Sequence, residues 1–431
     1  MAGKADKTIL VVGAGVFGLT TALELKTRGY GSVTVLDRAP PPVPGGSSVD
    51  VSRVIRAEYA DAAYHQLAEE ALAGWSGEYA AHYRQSGLVM VAAPGDSAYL
   101  DGAKEVARAA GTPFREWDDA ERIKEEMPGV EADLRGLKGY YNARGGWADA
   151  GAAMRQLAET CGRAGVSFVT GPRGTVTALR RRGGRVTGVE VAEGPPLEAD
   201  AVVLATGAWT NRLLPLTHAT SASGQPVGFV QLAAEEARRL RDMPVVINLS
   251  TGVFVFPPHP GSGLLKVARH GYGWANNVEV ETGGGDGSSA RIVSAPKMDV
   301  GEGGWLPDDA DGALRDGLRQ LAPGFADRAW AAGSRLCWYS DTPEGDFVVD
   351  WHPDEEGLFL ATGGAGHAFK FLPVLGRHIA DCFEGKASAE LRHKWRLRKA
   401  ESEEGGGLKT GDGSRGGPPI RALTKEEQAK L

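Results

Sequence analysis

The stretch TILVVGAGVFGLTTALELKTRGYGSVTVLDR, Thr8 to Arg38, restricts the fold more tightly than any other part of the chain. Thr8 to Val12 is a short β-branched run of the kind that fills a buried parallel strand. Gly13, Gly15 and Gly18 follow as G-x-G-x-x-G. Leu19, Ala22, Leu23 and Leu25 then give the apolar side of a helix that Gly29 and Gly31 stop, and Ser32 to Leu36 forms a second strand. The first glycine allows a tight turn, the second lets backbone approach a pyrophosphate, and the third lets helix pack on strand. Amides at the helix N-terminus, Val16 among them, point at the anion. Asp37 stands roughly 20 residues beyond the last glycine, where a carboxylate accepts hydrogen bonds from an adenosine ribose. The unit predicts a Rossmann-type dinucleotide-binding domain and does not separate NAD from FAD.

At 431 residues the chain is too long for one ordinary core, so two domains are expected. A formal charge of -7 gives no basic field for nucleic acid, and no apolar run is long enough to cross a bilayer, so a soluble protein is expected. The leading MAGKADK lacks the apolar stretch of a secretion signal. Cys161, Cys337 and Cys382 are odd in number and far apart, which argues against a disulfide framework and for a reducing compartment. No cysteine pair has zinc-ligand spacing, so no metal is expected. After Lys394 the chain turns charged and glycine-rich and is expected to be a flexible tail. It ends in Ala429-Lys430-Leu431, a conservative variant of the tripeptide read by the peroxisomal import receptor; the alternative location is cytoplasmic.

Further parallel strands are expected at Val166 to Gly171, Ala199 to Trp209 and Gly357 to Gly366, far from the first unit. Between Gly207 and Cys337 the texture changes to alternating strands such as VVINLSTGVFVFPP and GLLKVARHGYG, which suit a mostly antiparallel sheet. The fold class is therefore α/β, a discontinuous nucleotide domain with an inserted, mostly antiparallel substrate domain. The expected boundaries are 6–85, 150–215 and 335–393 for the nucleotide domain, 86–149 and 216–334 for the substrate domain, and 394–431 for the tail. ETGGGDGSS, from Glu281 to Ser289, reads as a mobile loop.

CWYSDTPEGDFVVDWHP from Cys337 and LFLATGGAGHAFKFLPVLG from Leu358 resemble the monomeric sarcosine oxidase family, which includes pipecolate, saccharopine and fructosyl amino acid oxidases. The resemblance runs from about Thr8 to Gly376. It implies FAD, bound covalently through the sulfur of Cys337, with Arg335 as the neighbouring cation that favours a thiolate. Cys161 and Cys382 lack this context and are expected in the core.

SSVDVSRVIRAEY, Ser47 to Tyr59, resembles the family segment that crosses the flavin. By that match Arg53 lies near the flavin ring, and Arg56 forks the substrate carboxylate with Lys370 as its second ligand and Tyr59 beside it. Lys266 matches the lysine that promotes the reaction of reduced flavin with oxygen, since a fixed positive charge stabilises the anion formed by the first electron transfer. By the same match His270 is the histidine of the family's catalytic sheet, while Tyr339 and His367 are expected to point at the ring or the substrate and to shape the substrate site. Cofactor contacts are implied at Ser47, Ser52, Arg53, Gly364, Gly366 and Lys370.

These matches imply an oxidase of N-substituted amino acids that transfers hydride to flavin, releases an imine to hydrolysis and reduces oxygen to hydrogen peroxide. Its partners would be a secondary amino acid and oxygen, acting on a monomer. Saccharopine, fructosyl amino acids and small secondary amines all stay open as substrates; Ser52-Arg53, where fructosyl enzymes often have Asn-Lys, counts against the glycated ones. The alternatives are an NAD-dependent dehydrogenase, a non-catalytic flavin-bearing protein, and a secondary-metabolism oxidase that uses the imine to form a bond.

Overall fold

The structure is a computed structural model, described here for residues 3–127, 129–281, 290–298, 304–399 and 411–431. Its first sheet has six strands in the order Val348–Trp351, Leu358–Thr362, Ala201–Leu204, Thr8–Val12, Ser32–Asp37 and Ser167–Thr170. All neighbours are parallel except Val348–Trp351, which runs antiparallel to Leu358–Thr362. Thr8 pairs with Ser32 and Val12 with Leu36, so the glycine turn and Asp37 emerge at the same edge.

Both faces of this sheet are apolar, as a parallel sheet covered on two sides requires. Ile9, Val11, Val33 and Val35 face the helices Val16–Thr27, Ala150–Arg163 and Leu372–Phe383. Leu10, Val12, Leu36 and Val202 face a three-stranded antiparallel sheet, Val176–Arg182, Arg185–Val191 and Leu197–Glu198. The expected strands form at Ser167–Thr170, Ala201–Leu204 and Leu358–Thr362.

The second sheet has ten strands and is mostly antiparallel. Ser221–Gln231 pairs with Leu264–Arg269 on one side and with Arg335–Asp341, which brings Gln225 opposite Cys337. The helix Asp308–Leu321 covers the outer face through Leu314, Leu318 and Leu321. The inner face looks towards the glycine turn.

Two expectations need correction. Arg335–Asp341, placed in the nucleotide domain, is a strand of the larger sheet, because its backbone pairs along seven residues with Ser221–Val227. The flexible tail is also not what the described part shows. Trp395 is fully buried against Phe347, and residues 411–431 fold onto the larger sheet, where Arg421–Ala422 pairs in parallel with Trp274–Ala275. Glycine content misled here: a Cβ on Gly416 would lie 2.3 Å from the amide of Gly252 and from the carbonyl of Leu249, so glycine permits backbone to pack on backbone. The helix Lys425–Lys430, capped by Thr424, follows, and Leu431 rests against the same core. Residues 400–410 and the centre of the expected loop, 282–289, lie outside the described residues. Among the described residues no helix is long and apolar enough to cross a membrane, and no group of metal ligands occurs.

Candidate active site

One cavity of about 580 Å³ runs between the two sheets, from Gly13 and Asp37 to Lys266, His367 and Lys370. Its nucleotide end is made by local chain geometry. Gly13 has φ +108°, a region that favours glycine, and a Cβ there would lie 2.4 Å from the Ala205 carbonyl. A Cβ on Gly18 would lie 1.8 Å from the Gly13 oxygen, which is why helix and strand can meet only at a glycine. Asp37 accepts from the amides of Ala14 at 2.7 Å and Arg38 at 2.7 Å, and burial raises its pKa against those bonds. Ser48, which sequence reasoning missed, accepts from the Val16 amide at 3.0 Å.

The other end is made of side chains from separated segments. Lys266 is 2% exposed; its Nζ donates to Asp50 Oδ2 at 2.9 Å and to the Ser52 carbonyl at 2.7 Å, and lies 4.8 Å over the Phe256 ring. Burial pulls the Lys266 amine down to about 7, against the attraction of Asp50. Although burial pushes Asp50 up, Lys266, Arg53 and Arg335 together hold it below the usual carboxylate range. Asp50 is thus the hub of the site. Its only sequence signal was a carboxylate three residues before Arg53.

Cys337 is buried and lines the cavity, and the cation that reaches it is Arg53, whose Nη2 lies 3.4 Å from the sulfur. Arg335, expected in that role, instead donates to the Gly333 carbonyl at 2.8 Å and lies 3.8 Å from Asp50. Arg53 also donates to the Ser47 carbonyl at 2.8 Å and pairs with Asp50. Cys161 and Cys382 are core residues, and burial pushes both thiols up to about 12.

Arg56 donates through Nη2 to the Tyr99 hydroxyl at 3.1 Å, while its buried Nη1 has no hydrogen-bond partner among the described residues. Lys370 donates to the Tyr59 hydroxyl and to the His367 carbonyl, each at 2.7 Å. His367 Nε2 lies 2.7 Å from the Gly345 carbonyl and must carry the proton, so Nδ1 accepts from Tyr59 O–H at 2.9 Å. Burial pushes His367 down to about 3 and lowers Lys370 well below an ordinary lysine. Tyr59 is not on the cavity wall; stacked against Tyr64 and Phe371, it orients Lys370 and His367 from behind. Ser52 likewise stands behind the wall, contributing its carbonyl to Lys266.

Gly364 and Gly366 line the cavity, and Ala365 between them has φ +45°, a strained conformation that its neighbours must hold. The Ser340 carbonyl accepts the Ala365 amide at 2.8 Å, and Tyr339 packs beneath Gly366. His270 bonds through Nε2 to Ser414 Oγ at 3.0 Å, and burial lowers its pKa far below the usual value. Ser414 and Arg415 come from the tail and were invisible in the sequence. Arg415 pairs with Asp341 at 2.5 Å, both side chains 1% exposed, and donates to the Gly271 carbonyl at 2.8 Å.

The residues present fit FAD. Gly13, Ala14, Gly15 and Asp37 line one end of the cavity, the cavity continues from them past Cys337, and buried cations gather at its far end. When bound, FAD supplies the hydride acceptor and the two-electron path to oxygen.

The chain is 31% identical to the L-saccharopine oxidase of Schizosaccharomyces pombe, covering 91% of this chain and 94% of that one. It is 26% identical to the monomeric sarcosine oxidase of a Bacillus species, covering 86% and 91%. The crystal structure of the deglycating fructosamine oxidase of Aspergillus fumigatus, Amadoriase II, superposes with a TM-score of 0.82 at 29% identity over 98% of this chain and 96% of that chain. Residues 8–382 match the family model described as FAD dependent oxidoreductase. This sets aside the nicotinamide alternative, and the chain belongs to the FAD dependent oxidoreductase family.

Proposed function

We propose that the chain is an oxidase of amino acids whose nitrogen carries a carbon substituent, with its flavin bound covalently through Cys337. In the overall reaction the substrate C–N bond is oxidised to the imine while oxygen is reduced to hydrogen peroxide, and water then splits the imine into a carbonyl compound and an amine. The observation that carries this reading is the Nη1 of Arg56, without a partner among the described residues and buried in one cluster with Lys370 at the end of a cavity that begins at a dinucleotide cradle. A carboxylate there would meet Arg56 and the remaining proton of Lys370, and binding an anion would return Lys370 to its charged form.

His367 is neutral and oriented by Tyr59 and Gly345, so it shapes the pocket rather than supplying charge. Lys266 provides the positive charge for the oxygen reaction, held in place by Asp50 and the Ser52 carbonyl. Arg53 stands with Nη2 3.4 Å from the Cys337 sulfur, a cation beside the atom that would bond the flavin. Saccharopine, sarcosine and fructosamines, which the relatives' names carry, are the first substrates to try. Location in peroxisomes, monomeric assembly and recognition of Ala429-Lys430-Leu431 by the import receptor belong to the same proposal. Imaging a fluorescent fusion with and without a change at Lys430 checks the import step.

The test has two parts. The purified yellow protein is denatured in acid and pelleted: colour is expected to stay with the polypeptide and to be released in Cys337→Ala. Peroxide release is then followed with a panel of N-substituted amino acids and their decarboxylated analogues. Arg56→Gln and Lys370→Gln should raise KM for the acids far more than for the analogues. Equal effects on both would remove the carboxylate role.

A further inference from the structure

Lys370 begins a short hydrogen-bonded chain in which the direction of every bond is fixed. It is 5% exposed and lines the cavity. His367 Nε2 must donate to the Gly345 carbonyl, so Nδ1 accepts the only proton of the Tyr59 hydroxyl, and that hydroxyl can meet Lys370 only as an acceptor. The second bond from Nζ goes to the His367 carbonyl, another acceptor.

This count decides which form of the amine the empty site suits. A neutral amine has two N–H donors and a lone pair, whereas an ammonium has three donors and no lone pair. Among the described residues Nζ finds two acceptors and no carboxylate, which satisfies the neutral amine and leaves its lone pair free. The surrounding charges agree. The Arg56 guanidinium and the Lys370 amine lie over the same Tyr59 ring, at 4.9 and 5.1 Å from its centre, so a charged Lys370 would face a second cation. Burial and Arg56 lower the amine well below an ordinary lysine, and the attraction of Asp412 and Glu58 does not reverse this.

A secondary amino acid arrives as a zwitterion, because its nitrogen is an ammonium near neutral pH. Hydride transfer from the adjacent carbon needs the nitrogen lone pair, so one proton must leave first. In an α-amino acid the carboxylate and the nitrogen share one carbon, so a lysine that meets the carboxylate is within reach of the nitrogen. The bound carboxylate also makes that lysine more basic as the proton has to move. We propose that Lys370 is the base that takes the ammonium proton of the substrate. The substrate N–H bond breaks and its electron pair stays on the substrate nitrogen, while the lone pair of Nζ forms the new N–H bond. No oxidation occurs in this step, and the new ammonium of Lys370 balances the carboxylate beside it. The inference rests on the reading of Arg56 and Lys370 as the carboxylate site.

The test counts protons. The flavin-loaded full chain is titrated calorimetrically with methylthioacetate, the sarcosine skeleton with sulfur in place of nitrogen, at about pH 8 in two buffers of different ionisation enthalpy. This probe is an anion with no proton to give. The wild type should take up about one proton per probe bound, and Lys370→Arg, whose cation does not deprotonate, should bind it with none. Flavin reduction by saturating sarcosine or saccharopine is then followed without oxygen. Its rate should be nearly level in the wild type from about pH 7 to 9; in Lys370→Arg it should be about tenfold slower or more at about pH 8 and rise with pH as the free ammonium ionises. A wild type that binds the probe without proton uptake overturns the base, whether or not any variant folds, and leaves the carboxylate site standing. So does uptake that persists in Lys370→Arg, and so does a rate profile of that variant that overlays the wild type, which is what a mere counter-charge gives. Failure of the wild type to bind the probe, or of both amino acids to reduce the flavin, would remove the reading on which the base rests and the base with it.

Discussion

The two ends of the cavity are built on different principles. The nucleotide end is contiguous, Thr8 to Asp37, and it is made of backbone: a helix start reached through glycines whose added carbons would strike other backbone. The substrate end is assembled from five separated places, around Arg56, Lys266, Tyr339, Lys370 and Ser414, and its surface carries charge held away from water. The first end tolerates almost no change of shape, whereas the second tolerates shape and depends on the balance of charges.

The largest effect is expected where shape is absolute. In Gly18→Ala the new methyl would meet the Gly13 carbonyl at 1.8 Å, and backbone cannot yield as a flexible side chain does. A cost of about 3 kcal/mol or more is expected, as helix and strand part. Purified Gly18→Ala should hold less than about a tenth of the wild-type flavin. Gly162→Ala is the matched comparison: it lies late in the helix Ala150–Arg163 with nothing within 4 Å of the added carbon. It should keep full flavin and gain up to about 1 kcal/mol from helix propensity. Equal flavin content in the two variants would break the distinction between the ends.

The difference also explains what could be read in the sequence. Glycine spacing, β-branched runs and Asp37 are local signals, and every one of them reappears in the fold. The charge constellation has no local signature. Arg53, Arg56, Lys266 and Lys370 were found only because their segments resemble a family. Asp50 and Ser48, in or beside those segments, carried no signal of their own, because an acid or a serine near an arginine is ordinary on a surface. The tail was misread for a physical reason: its glycines and charges describe a chain that cannot build its own core, but it does not need to. Ser414 and Arg415 are buried by borrowing a core already formed by the larger sheet.

That borrowing predicts the second effect. Arg415 and Asp341 form a buried pair, and removing one partner strands the other. Arg415→Met should lower stability by about 3–5 kcal/mol, seen as a fall in the unfolding midpoint. The double variant Arg415→Met, Asp341→Leu should recover most of the loss, because no charge is then left buried alone. If both variants unfold with the wild type, the tail is an appendage and the substrate end is built from four places.

The smallest effect separates a charge from its placement. Lys266 titrates near 7 because burial lowers it while Asp50 raises it. Below that pH the amine is an ammonium, and an oxygen reaction that uses its charge is fast; above it the charge is lost. The rate at which oxygen oxidises the reduced wild type should therefore fall as pH rises through about 7. In Asp50→Asn the raising influence is gone, so the fall should move one or more units lower, leaving roughly a tenth of the rate at neutral pH. Lys266→Met should be slow and flat across the range, which fixes the baseline. Reduction of the flavin by substrate without oxygen, followed separately, shows whether Asp50→Asn has disturbed more than the lysine. An Asp50→Asn profile that overlays the wild type would mean that Asp50 serves Arg53 and Cys337 alone, and that the ammonium of Lys266 is held by the Ser52 carbonyl; the substrate end would then owe its charge, like the nucleotide end, to backbone.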